Sequence, residues 1–350
     1  MIQELMDKNN CDELHIQFDK ESGCTFIIAL NTLYGNKGNG GTRMLNYSNA
    51  EDGIKDATKL VKAMTKKCVV IGKKYNGGYS GGKGVIVGNP ITQKTPDMLR
   101  RFGKFVQTLN GRFQTGTDMN INLKDIEYIA EESEFIDGLE TGLGDTAIPT
   151  AFGILLAMKE LCGWKYGSNS LKGKVIAVQG VGSVGRDLVR RLVVEGAEVI
   201  ATDVNAENLQ SVKEEFGIKI VKPEEIYSVK CDIFSPNACG GILTDEKIEK
   251  LNCDMVIGAA NNPLADGLRS IMKMKNKGII YAPDYIVNIG GVFLSMCEIQ
   301  GKDFNYVIEK LKEIIPIRLQ QIIKAAERTE ITLFEAAEKI ISEESSKILL

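Results

Sequence analysis

The chain has 350 residues, too many for one ordinary hydrophobic core, and its length divides more naturally between two domains. With 43% hydrophobic and 25% charged residues it has a globular composition, and a net charge of −3 gives no reason to expect nucleic acid or a membrane surface as partner. No run approaches the ~20 uninterrupted apolar residues of a membrane span, and the charged start Met1-Ile-Gln-Glu-Leu-Met-Asp-Lys lacks a signal-peptide core, so the expected compartment is the cytoplasm.

In the first part of the chain, the alternating run Glu13-Leu-His-Ile-Gln-Phe reads as a strand over 14–18, with further strands at 25–30 and 83–87. Asn49 is placed to cap a helix with Asp52 in its first turn, running to about Lys66, and 96–109 reads as a second helix. Gly40-Gly-Thr-Arg-Met44 precedes the first helix, and Met64-Thr-Lys-Lys67 is expected to end it. Next, Gly77-Gly-Tyr-Ser-Gly-Gly-Lys83-Gly surrounds a lysine with glycines, which would let the backbone approach a small ligand with the ammonium buried beside it. A buried lysine loses hydration, so its pKa falls towards neutrality and it becomes usable as a general acid or base. Thr115-Gly-Thr-Asp118 adds a carboxylate from a loop. Lys67, Lys83 and Asp118 are therefore a candidate set for moving protons to a substrate nitrogen and an attacking water. The plainer reading is that helix-end lysines complement the dipole and that Asp118 caps a helix.

Pro149 lies near the start of a long helical pattern, 151–161, that suits a connector between domains. Beyond it come the β-branched run Lys174-Val-Ile-Ala-Val-Gln, the glycine turn Gly180-Val-Gly-Ser-Val-Gly185, helical spacing over 186–195 and a strand over 197–203. Strands at 218–221, 232–234, 255–259 and 278–282 continue the alternation, which implies a parallel, doubly wound sheet. After a break at Thr329-Glu-Ile-Thr, 332–350 reads as a last helix that could fold back on the first domain. The expected fold class is α/β in two domains: 1–148 for substrate, then a Rossmann domain over 149–329, with 330–350 closing the chain.

Gly180, Gly182 and Gly185 form a GxGxxG that follows a strand and opens a helix through Ser183 and Val184. The first glycine allows the tight turn, the second lets the backbone approach a pyrophosphate, and the third lets helix and strand pack closely. Asp203 ends the next strand about 20 residues on, where a carboxylate would accept from the adenosine ribose hydroxyls. It would repel a 2′-phosphate, which favours NAD over NADP. The 8 cysteines contain no CxxC pair and read as buried free thiols, and the single histidine, His15, excludes a histidine-based triad or a multi-histidine metal site. No metal is expected.

Together these segments resemble the glutamate/leucine/phenylalanine/valine dehydrogenase family, its leucine-type members most of all. The resemblance rests on Gly40-Gly-Thr-Arg-Met, Met64-Thr-Lys-Lys and Gly81-Gly-Lys83, then on Gln179-Gly-Val-Gly-Ser-Val-Gly185, Cys231-Asp-Ile-Phe-Ser-Pro and Gly258-Ala-Ala-Asn-Asn262. Tyr281-Ala-Pro-Asp-Tyr-Ile-Val-Asn288-Ile-Gly-Gly-Val292 completes it, in the family's order and over nearly the whole chain. The resemblance implies that Lys67 binds the substrate α-carboxylate, that Lys83 is the catalytic lysine and that Asp118 is its partner in proton transfer. It places Gly40, Gly41, Asn39, Val292 and Ser295 around the substrate, with Thr150, Asn261 and Asn288 on the cofactor side near the nicotinamide and ribose. It further implies a homo-oligomer assembled through the first domain, and reversible NAD-dependent oxidative deamination of an L-amino acid, branched-chain or otherwise aliphatic, to a 2-oxo acid and ammonium.

Three features depart from the family. The interval from Lys67 to Lys83 is longer than usual, and the insertion falls in Gly72-Lys-Lys-Tyr-Asn-Gly-Gly-Tyr, where it could reshape the pocket floor. Asn39 stands where leucine-type enzymes carry leucine and glutamate-type enzymes lysine. Ser295 matches the serine that glutamate-type enzymes direct at a distal carboxylate. Such a pocket is more polar than leucine wants yet lacks the charge that glutamate wants. The alternatives are a dehydrogenase for a more polar amino acid or amine, and a catalytically silent sensor of NAD or an amino acid.

Overall fold

The computed structural model describes residues 2–138 and 142–349. They form two compact units: Met1–Thr146 with Val292–Phe304 and Glu344–Leu350, and Ala147–Gly291 with Asn305–Glu343. The sequence division kept 149–329 together, whereas here 292–304 joins the first unit.

The first unit runs α1 (Ile2–Asn9), β1 (Glu13–Asp19), β2 (Cys24–Leu30), β3 (Lys37–Asn39), β4 (Thr42–Leu45), α2 (Ala50–Ile71), β5 (Tyr79–Val87), α3 (Pro96–Thr108), β6 (Phe113–Gln114) and α4 (Leu123–Ala130). Helix α2 starts where the Asn49 side chain accepts from the Asp52 backbone N–H at 2.9 Å. It continues a turn beyond the expected end because Cys68, Val69, Val70 and Ile71 still face the interior. Asn122 and Asp125 form a reciprocal capping box on α4, so that role falls to Asn122 and not to Asp118.

Strand β5 is the spine of the sheet. It runs antiparallel to β2 and parallel to β3 and β4, with β1 outside β2 and β6 outside β3. Strand β2 is apolar from Phe26 to Leu30 because both of its faces are covered there. Phe26 and Ile28 pack with Phe102, Phe113 and Ile126, while Ile27 and Ala29 pack with Ala57, Val61 and Val85. Three glycines beside Lys83 have close protein neighbours. A side chain at Gly81 would collide with Thr65 of α2, one at Gly82 would lie 3.0 Å from Phe113, and one at Gly84 would meet Thr42. They let helix and strands close around the lysine, and for that reason the strand starts at Tyr79, before the expected Lys83.

The second unit runs α5 (Ala147–Tyr166), β7 (Val175–Gln179), α6 (Ser183–Val194), β8 (Glu198–Thr202), α7 (Ala206–Phe216), β9 (Lys219–Ile220), β10 (Lys230–Pro236), α8 (Asp245–Lys250), β11 (Asn252–Val256), α9 (Gly267–Asn276), β12 (Ile280–Tyr281) and α10 (Asp284–Val287). Its six strands are all parallel, in the order β12-β11-β10-β7-β8-β9, so the order reverses between β7 and β10. This is the doubly wound Rossmann arrangement expected from the sequence, with the ligand crevice at the reversal. Helix α5 is long and apolar enough to cross a membrane by length and composition, yet 56% of that stretch is buried inside the structure. Gly290 abuts the Pro149 carbonyl, and Gly153 meets Ile315 and Val287, so α5 is packed as a core helix.

The chain ends in α11 (Gly290–Ile299), α12 (Phe304–Thr329) and α13 (Leu333–Leu349). Thr332 and Glu335 cap α13 reciprocally, at 3.1 and 2.8 Å. Phe334 packs against Tyr281 and Tyr285, and the Tyr285 hydroxyl donates to Glu338. The base of α13 therefore belongs to the second unit. The expected fold-back on the first is confined to the segment from Glu344, and Leu350 lies outside the described residues.

Candidate active site

Lys83 is buried in the middle of β5, and its Nζ lies 2.5 Å from Asp118 Oδ2. The loop of Asp118 is held against the sheet by close backbone contacts. Gly41 abuts the Thr117 carbonyl, Gly40 abuts Gly82, and Thr115 Oγ1 donates to the Gly40 carbonyl at 3.0 Å. Gly40 and Gly41 thus place the Asp118 loop by letting chains approach. Arg43 on β4, to which the sequence reading gave no role, donates from Nε to the same Asp118 oxygen at 2.8 Å and from Nη1 to Asp56 of α2 at 3.1 Å. The Tyr47 hydroxyl completes the chain, donating to Asp56 at 2.5 Å. Strand β4 carries Arg43 and Met44 to opposite faces, and that alternation was the available signal.

The electrostatics suit proton transfer. Burial pushes the Lys83 ammonium below its usual pKa; Asp118 opposes this, and the Arg43 cation adds to it. Burial acts to raise Asp118, but the Lys83 and Arg43 cations outweigh it and hold the carboxyl well below its usual range. Of this coupled pair, the ionised Asp118 is the firmer assignment, because Arg43 still neutralises it when Lys83 gives up its proton.

Lys67 lies one turn before the end of α2 and is also buried. Lys73 and Lys74, in the insertion, are exposed and make no buried base. The insertion forms a turn over buried Asn76, and the Gln300 side chain donates to the Tyr75 carbonyl at 3.1 Å.

Register pairs Asn39 with Gly81, so Asn39 projects to the same sheet face as Lys83. Its Nδ2 donates to Ser295 Oγ at 2.8 Å, and Ser295 donates in turn to Asp137 Oδ2. Asn39 and Ser295 are therefore brought together, with Val292 half-buried one turn earlier on α11. Asp137, absent from the sequence reading, joins them fully buried. Burial raises its carboxyl to about 6, although Ser295 and Asn39 pull it back down and Glu298 adds to the rise.

In the second unit the glycine turn sits as expected between β7 and α6. Gly180 has φ +91° and leaves 3.0 Å to Ala238 for any side chain, and Gly185 abuts the Gly180 carbonyl. A side chain at Gly182 would meet no protein atom within 4 Å, so the space over the helix start is open. Gly182 itself supplies no side-chain cap to α6, and Ser183 is exposed with Val184 half-buried behind it. Asp203 accepts from the Val181 N–H at 2.7 Å and the Asn205 N–H at 2.8 Å, which fixes its carboxylate beside the turn. Asn288 donates to the Ala259 carbonyl and to Asn261 Oδ1, both at 3.0 Å, while its own Oδ1 is buried without a partner among the described residues. Thr150 lies half-buried in the first turns of α5. An open turn, an uncapped helix start and an unmatched amide oxygen fit a dinucleotide.

The glutamate/leucine/phenylalanine/valine dehydrogenase dimerisation-domain model matches residues 13–135, and the main-domain model matches 202–345. The chain is 38% identical over 345 residues to leucine dehydrogenase of Thermoactinomyces intermedius, covering 98% of this chain and 93% of the relative. It is 42% identical over 329 residues to phenylalanine dehydrogenase of Lysinibacillus sphaericus, covering 92% and 85%. The crystal structure of L-tryptophan dehydrogenase from Nostoc punctiforme superimposes with a TM-score of 0.82 at 33% identity, over 99% of both chains. The resemblance read from the motifs is borne out, and the chain belongs to the glutamate/leucine/phenylalanine/valine dehydrogenase family.

Proposed function

We propose that this amino-acid dehydrogenase, with NAD as its cofactor, runs the reversible oxidative deamination of an L-amino acid through Lys83 and Asp118. An L-amino acid, NAD and water give a 2-oxo acid, ammonium, NADH and a proton. The buried pair of Lys83 and Asp118, 2.5 Å apart, carries this reading. NAD, when bound, would supply the acceptor for the hydride that leaves the substrate Cα. Lys67 pairs with the α-carboxylate, which fixes the amino acid in place. Neutral Lys83 takes the proton from the water that adds to the substrate iminium carbon, and Asp118 exchanges protons with the departing nitrogen. Gly180, Gly182, Gly185 and the start of α6 at Ser183 and Val184 would hold the pyrophosphate, with Asp203 at the ribose and Thr150, Asn261 and Asn288 at the nicotinamide end.

The named relatives act on leucine, phenylalanine and tryptophan. An aliphatic side chain is the reading for this chain, with a polar end favoured by the contact between Asn39 and Ser295. Absorbance at alkaline pH with NAD and each amino acid in turn tests the reaction, and no NADH from any of them refutes it. Asp203 supports NAD over NADP, and kcat/KM for the two cofactors tests that preference.

A homo-oligomer is part of the proposal. The family model over 13–135 is described as a dimerisation domain, and Phe18 is 60% exposed on β1, the outermost strand. Light scattering on the purified protein tests it. Five buried free thiols support a reducing, cytoplasmic setting.

A further inference from the structure

A carboxylate buried in a protein interior needs a cation or a full set of donors, because an unmatched buried charge is strongly disfavoured. Asp137 has neither. Oδ2 accepts from Ser295, but Oδ1 is buried with no hydrogen-bond partner among the described residues. The groups acting most strongly on it are Ser295, its own backbone, Asn39 and a second acid, Glu298, with no lysine or arginine among them. The two Glu298 oxygens accept from the Gly138 and Leu143 N–H groups at 3.2 and 3.1 Å, so Glu298 is held nearby by the backbone.

The position of Asp137 ties this unmatched oxygen to the proposed catalytic centre. Oδ1 lies 3.0 Å from where a side chain on Gly116 would begin, two residues before Asp118. Ser295 links it to Asn39, which precedes the Gly40-Gly41 pair packed on the Asp118 loop and shares a sheet face with Lys83. The cations Lys67 and Lys83 lie on α2 and β5, where the proposed chemistry uses them at the Cα end of the substrate, and Arg43 on β4 is committed to Asp118 and Asp56. The distal end is acidic.

We propose that Asp137 is the specificity residue of this dehydrogenase, and that the substrate is a diamino acid whose aliphatic chain ends in an ammonium received by Asp137 Oδ1. The inference rests on the deamination reading above and adds its substrate class. The ω-ammonium donates to Oδ1, Ser295 and Asn39 orient the carboxylate, and the α-amine alone is lost. An aliphatic stem passing Val292 keeps the kinship with leucine-type substrates.

The test compares each diamino acid with the analogue lacking only the ω-amine: L-lysine with L-norleucine, L-ornithine with L-norvaline, and L-2,4-diaminobutyrate with L-2-aminobutyrate. L-leucine, L-phenylalanine and L-glutamine complete the panel, with NADH formation as readout. A site built to hydrogen-bond a group rejects the analogue without it by large factors, so at least one diamino acid should exceed its partner by about 100-fold or more in kcat/KM. Asp137→Asn and Asp137→Ala should each erase that ratio. A wild-type preference for leucine, phenylalanine, glutamine or the amine-free analogues overturns the assignment. So does a ratio that Asp137→Asn leaves unchanged. If no compound yields NADH, the deamination reading fails separately, and thermal shift decides Asp137 on its own. The wild-type melting temperature should then rise with a diamino acid and not with its analogue, and equal responses overturn the proposal.

Discussion

Lys83 and Arg43 share one oxygen: Lys83 Nζ lies 2.5 Å and Arg43 Nε 2.8 Å from Asp118 Oδ2. Two cations on one carboxylate oxygen compete for it, and the guanidinium cannot give up its proton. Arg43 therefore favours the neutral form of Lys83, adding to the depression that burial causes. In Arg43→Gln the Lys83 pKa should rise, and the acidic limb of kcat/KM for deamination should move to higher pH. Arg43→Lys, which keeps a charge, should move it less. A limb that stays in place in Arg43→Gln would reduce Arg43 to a brace between Asp56 and Asp118.

Lys83→Ala should lower kcat by roughly 10²–10⁴-fold, the usual contribution of a general acid–base group, while NAD binding followed by fluorescence stays intact. The double change Lys73→Ala with Lys74→Ala should leave kcat within about twofold, since effects of that size need a group in the transition state and both side chains are exposed. Comparable losses in the two variants would remove Lys83 from the base role.

The glycine turn makes a distinction that needs no activity assay. Gly182→Ala adds a methyl where no protein atom lies within 4 Å, so the melting temperature should hold while NAD binds more weakly. Gly185→Ala drives a methyl into the Gly180 carbonyl and should lower stability itself by about 1–3 kcal/mol, the usual cost of overpacking. Calorimetry and NAD titration on both variants check this. Unweakened NAD binding in Gly182→Ala would show that the pyrophosphate lies elsewhere.

The dinucleotide half was legible because its signals are local: a β-branched run, a turn that demands glycine, and an acid at the end of the next strand. The capped start of α2 was legible for the same reason. Asp137 was not legible. Its partner Ser295 is 158 positions away, and Ser295 meets Asn39 across 256. Only the folded sheet, together with the return of 292–304 to the first unit, joins these segments. The neighbours of the glycines beside Lys83 were hidden for a related reason. A glycine that admits a ligand and one that admits a neighbouring helix look alike in sequence, and Thr65 on α2 proved to be the neighbour.

Asp137 also sets a dependence of stability on pH. Its carboxyl moves from 3.8 in an unperturbed chain to about 6 in the fold, chiefly through burial. The folded state then binds the proton more tightly than the unfolded state does. The stabilisation is complete below about pH 3.8 and is lost as pH rises through about 6. At about 1.4 kcal/mol per unit, the free enzyme at pH 8 carries a penalty of order 3 kcal/mol from this one group. Asp137→Asn has no carboxyl to ionise, so its melting temperature should exceed that of wild type at pH 8, and the difference should shrink between pH 6 and 4. A diamino acid that binds only the folded enzyme should close the gap from the other side, raising wild-type stability with ligand concentration and leaving Asp137→Asn unmoved. Superimposable melting curves for the two proteins at pH 8, with and without L-ornithine and L-lysine, would mean that the carboxylate is already matched in the free enzyme and has no substrate charge to receive.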